Sequence, residues 1–133
     1  MPVVLFLGEA GAARAPLAEA ITRHLRPDLE VWSACGRPSH VRPHVRLVLE
    51  EEGISAVGLR ARAVGEVDLD EVDLVVALCP DNRRPHLPSR FVVVPAPMSD
   101  PTVAPDDERY EAFRACRDSL LDRIPRLLDE HLG

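Results

Sequence analysis

Two kinds of apolar spacing alternate along this chain. Residues 3–7 form an unbroken apolar run, which predicts a strand covered on both faces. A loop of small residues follows. Leu17, Ile21, His24 and Leu25 then fall on one helical stripe, with Pro16 suited to a first turn and Pro27 placed to stop the helix. Residues 29–33 alternate apolar with polar and predict an edge strand. Val41, Val45, Val48 and Leu49 predict a second helix over 41–52, closed by Gly53 at a C-cap. Residues 55–71 read as a loop holding at most a short helix. Residues 73–78 and 91–94 are two more apolar runs of strand length. The last helix is expected to begin at Asp106 or Asp107, either of which can cap it. Its stripe is Tyr110, Phe113, Leu120, Leu121, Ile124, Leu127 and Leu128. Pro125 lies inside and predicts a kink or a separate last turn.

The order β-α-β-α-β-β-α, with apolar strands, predicts an α/β fold: three layers, α/β/α, around a four-stranded and mostly parallel sheet. The 133 residues suit a single domain spanning 1–133 with one core. Apolar residues make up 46% and charged residues 29%, a globular balance rather than a disordered one. The net charge of −6 disfavours a nucleic-acid surface, which needs a clustered basic face. All basic side chains are arginine, which removes lysine as a Schiff-base or phosphate-binding candidate. The 13 prolines predict stiff loops. The first apolar run is too short for a secretory leader, and no stretch approaches membrane-spanning length, so a cytoplasmic protein with no membrane partner is expected. Cys35, Cys79 and Cys116 are odd in number and form no CxxC pair, against a disulfide framework or a cysteine zinc site. No metal or cofactor is expected.

Ligands in such folds sit at the carboxyl ends of the strands. The loop after the first strand is Gly8, Glu9, Ala10, Gly11, Ala12, Ala13 and Arg14, and a helix follows at once. N–H groups at a helix start attract anions, and the Arg14 guanidinium adds a fork that matches an oxyanion. A nucleotide-binding Walker loop would end in Gly-Lys-Ser/Thr, which is absent. A dinucleotide fingerprint would need a third glycine and an acidic residue closing the second strand, where Ser33 and Ala34 stand. The residues therefore predict an oxyanion cradle at 8–14.

The stretch 3–21, VVLFLGEAGAARAPLAEAI, resembles the signature of the low-molecular-weight tyrosine phosphatases and the related thioredoxin-coupled arsenate reductases. That signature is a buried strand, Cys, five residues, Arg, Ser-Pro or Ser-Gln, then Met/Leu-Ala-Glu-Ala. Arg14, Pro16, Leu17, Ala18, Glu19 and Ala20 match it in place. Residues 31–34, 49–54, 73–79 and 111–114 resemble the family's second strand, Glu-x-Gly-Ile helix end, third strand and final helix. Asp100-Pro101 matches its general-acid pair. The resemblance spans essentially the whole chain.

It also implies a departure. Gly8 occupies the position of the family's nucleophilic cysteine, and Gly11 and Ala12 occupy its loop Asn and Ser. Glycine offers nothing with which to attack phosphorus or arsenic, and the family's covalent chemistry needs a thiolate. Cys79 matches the second redox cysteine of the arsenate reductases, but the position of the third, before Pro85, is Arg84. Packing is the expected role of Cys79, with a redox role as the alternative; Cys35 and Cys116 are expected to pack. Asp100 is expected to shape a turn before Pro101, a vestigial acid. His40 and His44 have metal-ligand spacing, but Pro43 between them and the lack of a third ligand favour surface at a helix start.

Three readings follow. The first is a catalytically degenerate relative that binds phosphate, arsenate, a sulfate-like oxyanion or a phosphorylated protein through residues 8–14. The second is an interaction or structural module without anion binding, with a homodimer as one arrangement. The third is residual arsenate reductase or phosphatase activity using water or Cys79 as nucleophile.

Overall fold

A computed structural model describes all residues, 1–133. The chain runs β1 (Val3–Gly8), α1 (Arg14–Leu25), β2 (Glu30–Cys35), α2 (Pro43–Glu50), β3 (Leu74–Ala77), β4 (Val93–Pro95) and α3 (Arg109–Leu132). The four strands pair in parallel in the order β2-β1-β3-β4. Parallel pairing demands a crossover between strands, and the unbroken apolar runs follow from burial on both faces.

Alternation along β1 divides its side chains between two cores. Val4 and Phe6 join Leu17, Ile21, Val45, Phe113, Leu120 and Ile124 beneath the three helices. Leu5 and Leu7 face the other way, with Val75 and Ala77. That second face is covered by Val64, Val67, Leu69, Leu87 and Phe91 from single 3-10 turns and loops. Both faces are thus covered, but α1, α2 and α3 share one of them. The chain crosses to the other face after α2, where Ala63 bridges to Cys35 and extends the edge beyond β2.

Several expected boundaries move. The second helix starts at Pro43 rather than 41, because proline favours the first turn and Arg42 before it is extended. Gly53 takes φ +68° and its N–H closes on the Glu50 carbonyl, as a C-terminal glycine should. The last helix starts at Arg109; neither Asp106 nor Asp107 caps it, and Asp106 instead pairs with Arg109 at 2.7 Å. Pro125 does not split that helix, which runs unbroken to Leu132. Pro125 is exposed, so the carbonyl it leaves unpaired can be solvated. No helix is long and apolar enough to cross a membrane.

Candidate functional site

Strand order reverses between β1 and β3, and the crevice at their carboxyl ends is where such sheets take ligands. The loop after β1 fills that crevice. Its carbonyls are turned outward and held by the segment after β2. Glu9 O accepts from Gly36 N and Arg37 N, each at 3.2 Å, Ala10 O from Ser39 N at 2.8 Å, and Ala12 O from Arg42 N at 2.9 Å. The N–H groups of residues 9–13 donate to no protein acceptor. Consecutive free N–H groups leading into a helix make a nest of positive partial charge. Gly11 closes the bend at φ +69°, which an L side chain rarely adopts. A Cβ there would also meet Ala61 Cβ at 2.9 Å and Cys35 Sγ at 3.1 Å.

The nest lines a cavity of about 40 Å³, with Arg14, Asp100 and Thr102 on its wall. Arg14 is 7% exposed. Its Nη1 donates to the carbonyls of Met98 at 3.1 Å and Leu78 at 3.5 Å, which fixes the guanidinium between the ends of β3 and β4. Its Nη2 lies 3.9 Å from both Glu9 Oε2 and Asp100 Oδ2. Asp100 is oriented by its other oxygen, which accepts from the Thr102 N–H at 2.9 Å and hydroxyl at 2.7 Å. Glu9 reaches further, to Arg83 at 3.2 Å. The carboxylates near Arg14 are thus Glu9 and Asp100, while Glu19 pairs with Arg23 and Arg62.

Residue 8 carries no side chain, and a Cβ there would press on Ala15 Cβ at 3.2 Å. The three thiols lie outside the cavity lining and are buried. Burial pushes the Cys79 thiol up, against the opposing pull of Arg14. Burial likewise raises Cys35, whose Sγ donates to the Arg62 carbonyl at 3.1 Å. Cys116 is pushed up to about 12 by burial beside Met98. A wider groove of about 460 Å³ runs between Pro101 and α3, with Asp100 at its edge.

The sequence singled out residues 8–14 and Asp100, and the fold brings them together. Cys79 lies next to the site without lining it. His40 is exposed, whereas His44 is not bare helix-start surface: its ring stacks on Phe113 at 4.7 Å. Sequence reasoning missed two buried ions. Glu19 is fully buried, accepts from the Ser33 hydroxyl at 2.7 Å and pairs with Arg23 at 2.6 Å. Arg117 is 6% exposed and donates to the Val48 carbonyl at 2.9 Å and to Glu51 at 2.6 Å. For Arg117 the signal is its place inside an otherwise apolar stripe, between Phe113 and Leu120.

Fold and loop together define a class: a small parallel α/β domain with a nest of free N–H groups between its first strand and first helix. Within that class, the chain belongs to the low molecular weight phosphotyrosine protein phosphatase family, whose model matches residues 3–94. The glutaredoxin arsenate reductase of Synechocystis sp. is 26% identical over 129 residues, covering 96% of this chain and 97% of that protein. The low molecular weight protein-tyrosine-phosphatase YfkJ of Bacillus subtilis is 35% identical over 91 residues, which is 59% of this chain and 57% of that one. Among solved structures, an arsenate reductase in the phosphate binding state shares the fold with a TM-score of 0.83 at 24% identity, covering 98% of this chain and 99% of that one.

Proposed function

We propose that this protein is a non-catalytic member of its family that binds a phosphate-like oxyanion in the cradle of residues 8–14. The observation that carries this reading is the row of N–H groups at residues 9–13, undonated and lining the cavity, while the neighbouring carbonyls are tied away. Arg14 supplies a fixed cation at the same cavity. The arsenate reductase of shared fold is described in a phosphate binding state, which supports the same use of the loop here.

The chemistry stops at binding because no thiol, the nucleophile the family's covalent chemistry needs, lines the cavity. Gly8 has no side chain, and a thiol held well above neutral pH offers little thiolate. Asp100 then serves as a wall and a turn cap rather than as an acid with a leaving group to protonate. Two carboxylates, Glu9 and Asp100, flank one arginine, so an entering anion competes with Glu9 for Arg14.

Calorimetric titration with phosphate, arsenate and sulfate tests the binding. Saturable binding that Arg14→Ala abolishes, and that Glu9→Gln tightens by about two- to fivefold, is the expected result. Phosphate at about 100 times its dissociation constant should also raise Tm by several degrees. No ion-specific heat or shift would sink the cradle and leave the interaction module. Turnover of p-nitrophenyl phosphate or arsenate that is lost in Arg14→Ala would overturn the non-catalytic half.

A further inference from the structure

The cradle presents an anion with many donors and one fixed acceptor. The donors are the free N–H groups of residues 9–13 and Arg14 Nη2, which makes no hydrogen bond because both guanidinium bonds run from Nη1. The carbonyls of Glu9, Ala10 and Ala12 are tied away to the segment after β2. The acceptor is Asp100 Oδ2. Asp100 caps the 3-10 turn Pro101–Val103 with its other oxygen alone, Oδ1 accepting from both the Thr102 N–H and the Thr102 hydroxyl. Those two bonds hold the carboxylate and leave Oδ2 on the Arg14 side, 3.9 Å from Nη2 and beyond hydrogen-bond range. Asp100 and Arg14 both line the cavity. Glu9 Oε2 stands at the same 3.9 Å from Nη2, but that side chain is 41% exposed and its Oε1 is drawn to Arg83.

An ionised carboxylate can only accept hydrogen bonds. So can a fully deprotonated oxyanion, which between Arg14 and Asp100 would set its own lone pairs against those of Oδ2. A hydroxyl on the anion turns that repulsion into a charge-assisted O–H···O bond. We propose that Asp100 Oδ2 accepts this bond, and that the cradle thereby selects tetrahedral oxyanions that keep a proton, inorganic phosphate and arsenate, over sulfate and over the dianion of a phosphate ester. The inference rests on the cradle binding an oxyanion, and it names which kind. Hydrogen phosphate and hydrogen arsenate carry an O–H in neutral and mildly alkaline water, whereas sulfate has the same charge and shape and none. A phosphate group on a protein side chain loses its last O–H at about pH 6, so it lacks the donor as well. The site is matched to the free inorganic ion.

The test is calorimetric titration in mildly alkaline buffer with phosphate, arsenate, sulfate, methyl phosphate and fluorophosphate. All five are then dianions, and fluorophosphate differs from hydrogen phosphate only by fluorine in place of the hydroxyl. Phosphate and arsenate should bind at least about tenfold tighter than the other three. The Asp100 side chain is 32% exposed, so water softens the rejection below that of a dry site. Asp100→Asn keeps an oxygen for the two Thr102 bonds and puts an NH2 donor in place of Oδ2. In that variant the phosphate-to-sulfate ratio should fall to about one or lower. Loss of the carboxylate charge strengthens every dianion alike, so the ratio alone reports the hydrogen bond. Glu9→Gln should tighten all five together and leave the ratio as it was. Equal binding of phosphate and fluorophosphate, or of phosphate and methyl phosphate, by the wild type would overturn the selection and leave the cradle standing. A ratio that survives in Asp100→Asn, or that collapses in Glu9→Gln instead, would remove Asp100 from the role. If none of the five binds, the cradle reading itself fails and this inference falls with it.

Discussion

At the scale of single residues, the site is decided by what has no side chain. Gly11 permits a left-handed bend that turns the loop carbonyls outward and leaves the N–H groups free. Its neighbours leave no room for a methyl, with Ala61 Cβ at 2.9 Å from where one would be built. Gly11→Ala should therefore cost roughly 1–3 kcal/mol of stability and weaken phosphate binding together. Chemical denaturation with and without phosphate would check this. Loss of stability with unchanged phosphate affinity would mean that the nest does not depend on this bend. Gly8 acts differently. Its φ lies outside the left-handed region, so its importance is chemical: no group stands there to attack a bound oxyanion.

At the scale of elements, α2 and α3 are joined by ions rather than by apolar contact alone. Glu51, at the C-cap of α2, accepts hydrogen bonds from Arg114 and Arg117 of α3. Those bonds, Arg114's foremost, hold its carboxyl down at about 2, against an ordinary 4.5. A folded value below the unfolded one contributes stability that is complete above pH 4.5 and disappears as pH falls through about 2. Glu51→Gln should thus be less stable than the wild type at neutral pH, with the difference closing as the pH approaches 2. Denaturant midpoints for both proteins across that range would show it. A difference that stays constant with pH would mean that the carboxylate charge contributes nothing. Loss of Glu51 also leaves Arg117 buried with a weaker set of partners, so the neutral-pH penalty should exceed that of an exposed surface pair.

At the scale of the whole molecule, one apolar core joins the three helices to the sheet. Phe113 is fully buried in the core shared by α1, α2, α3, β1 and β3, and His44 of α2 stacks on it. Phe113→Ala should cost about 3–5 kcal/mol, and the loop of residues 8–14 should lose order in the same unfolding transition, because that loop leads directly into α1, which packs in the same core as Phe113. Coincident melting by circular dichroism and by phosphate binding is the expected outcome; a loop that melts earlier would mark a separate unit. Much of this fold was legible from the spacing of apolar residues. Continuous apolar runs gave β1, β3 and β4, alternation gave the edge strand β2, and a one-sided stripe gave α1. Glycine at 53 and proline at 27 gave two helix ends for conformational reasons that act locally. The start of α3 at Arg109 and the integrity of that helix through Pro125 were not legible. Capping competes with ion pairing at Asp106, and the cost of Pro125 depends on which face is wet. By itself, the sequence determined which residues stand in the loop after β1, and so that it carries an arginine and no thiol. Only the tertiary structure decided where that arginine points, which loop holds the carbonyls away, and that Glu19 and Arg117 are buried ions. Those outcomes depend on groups far apart in the chain meeting at one edge of the sheet, and local spacing carries no information about such meetings.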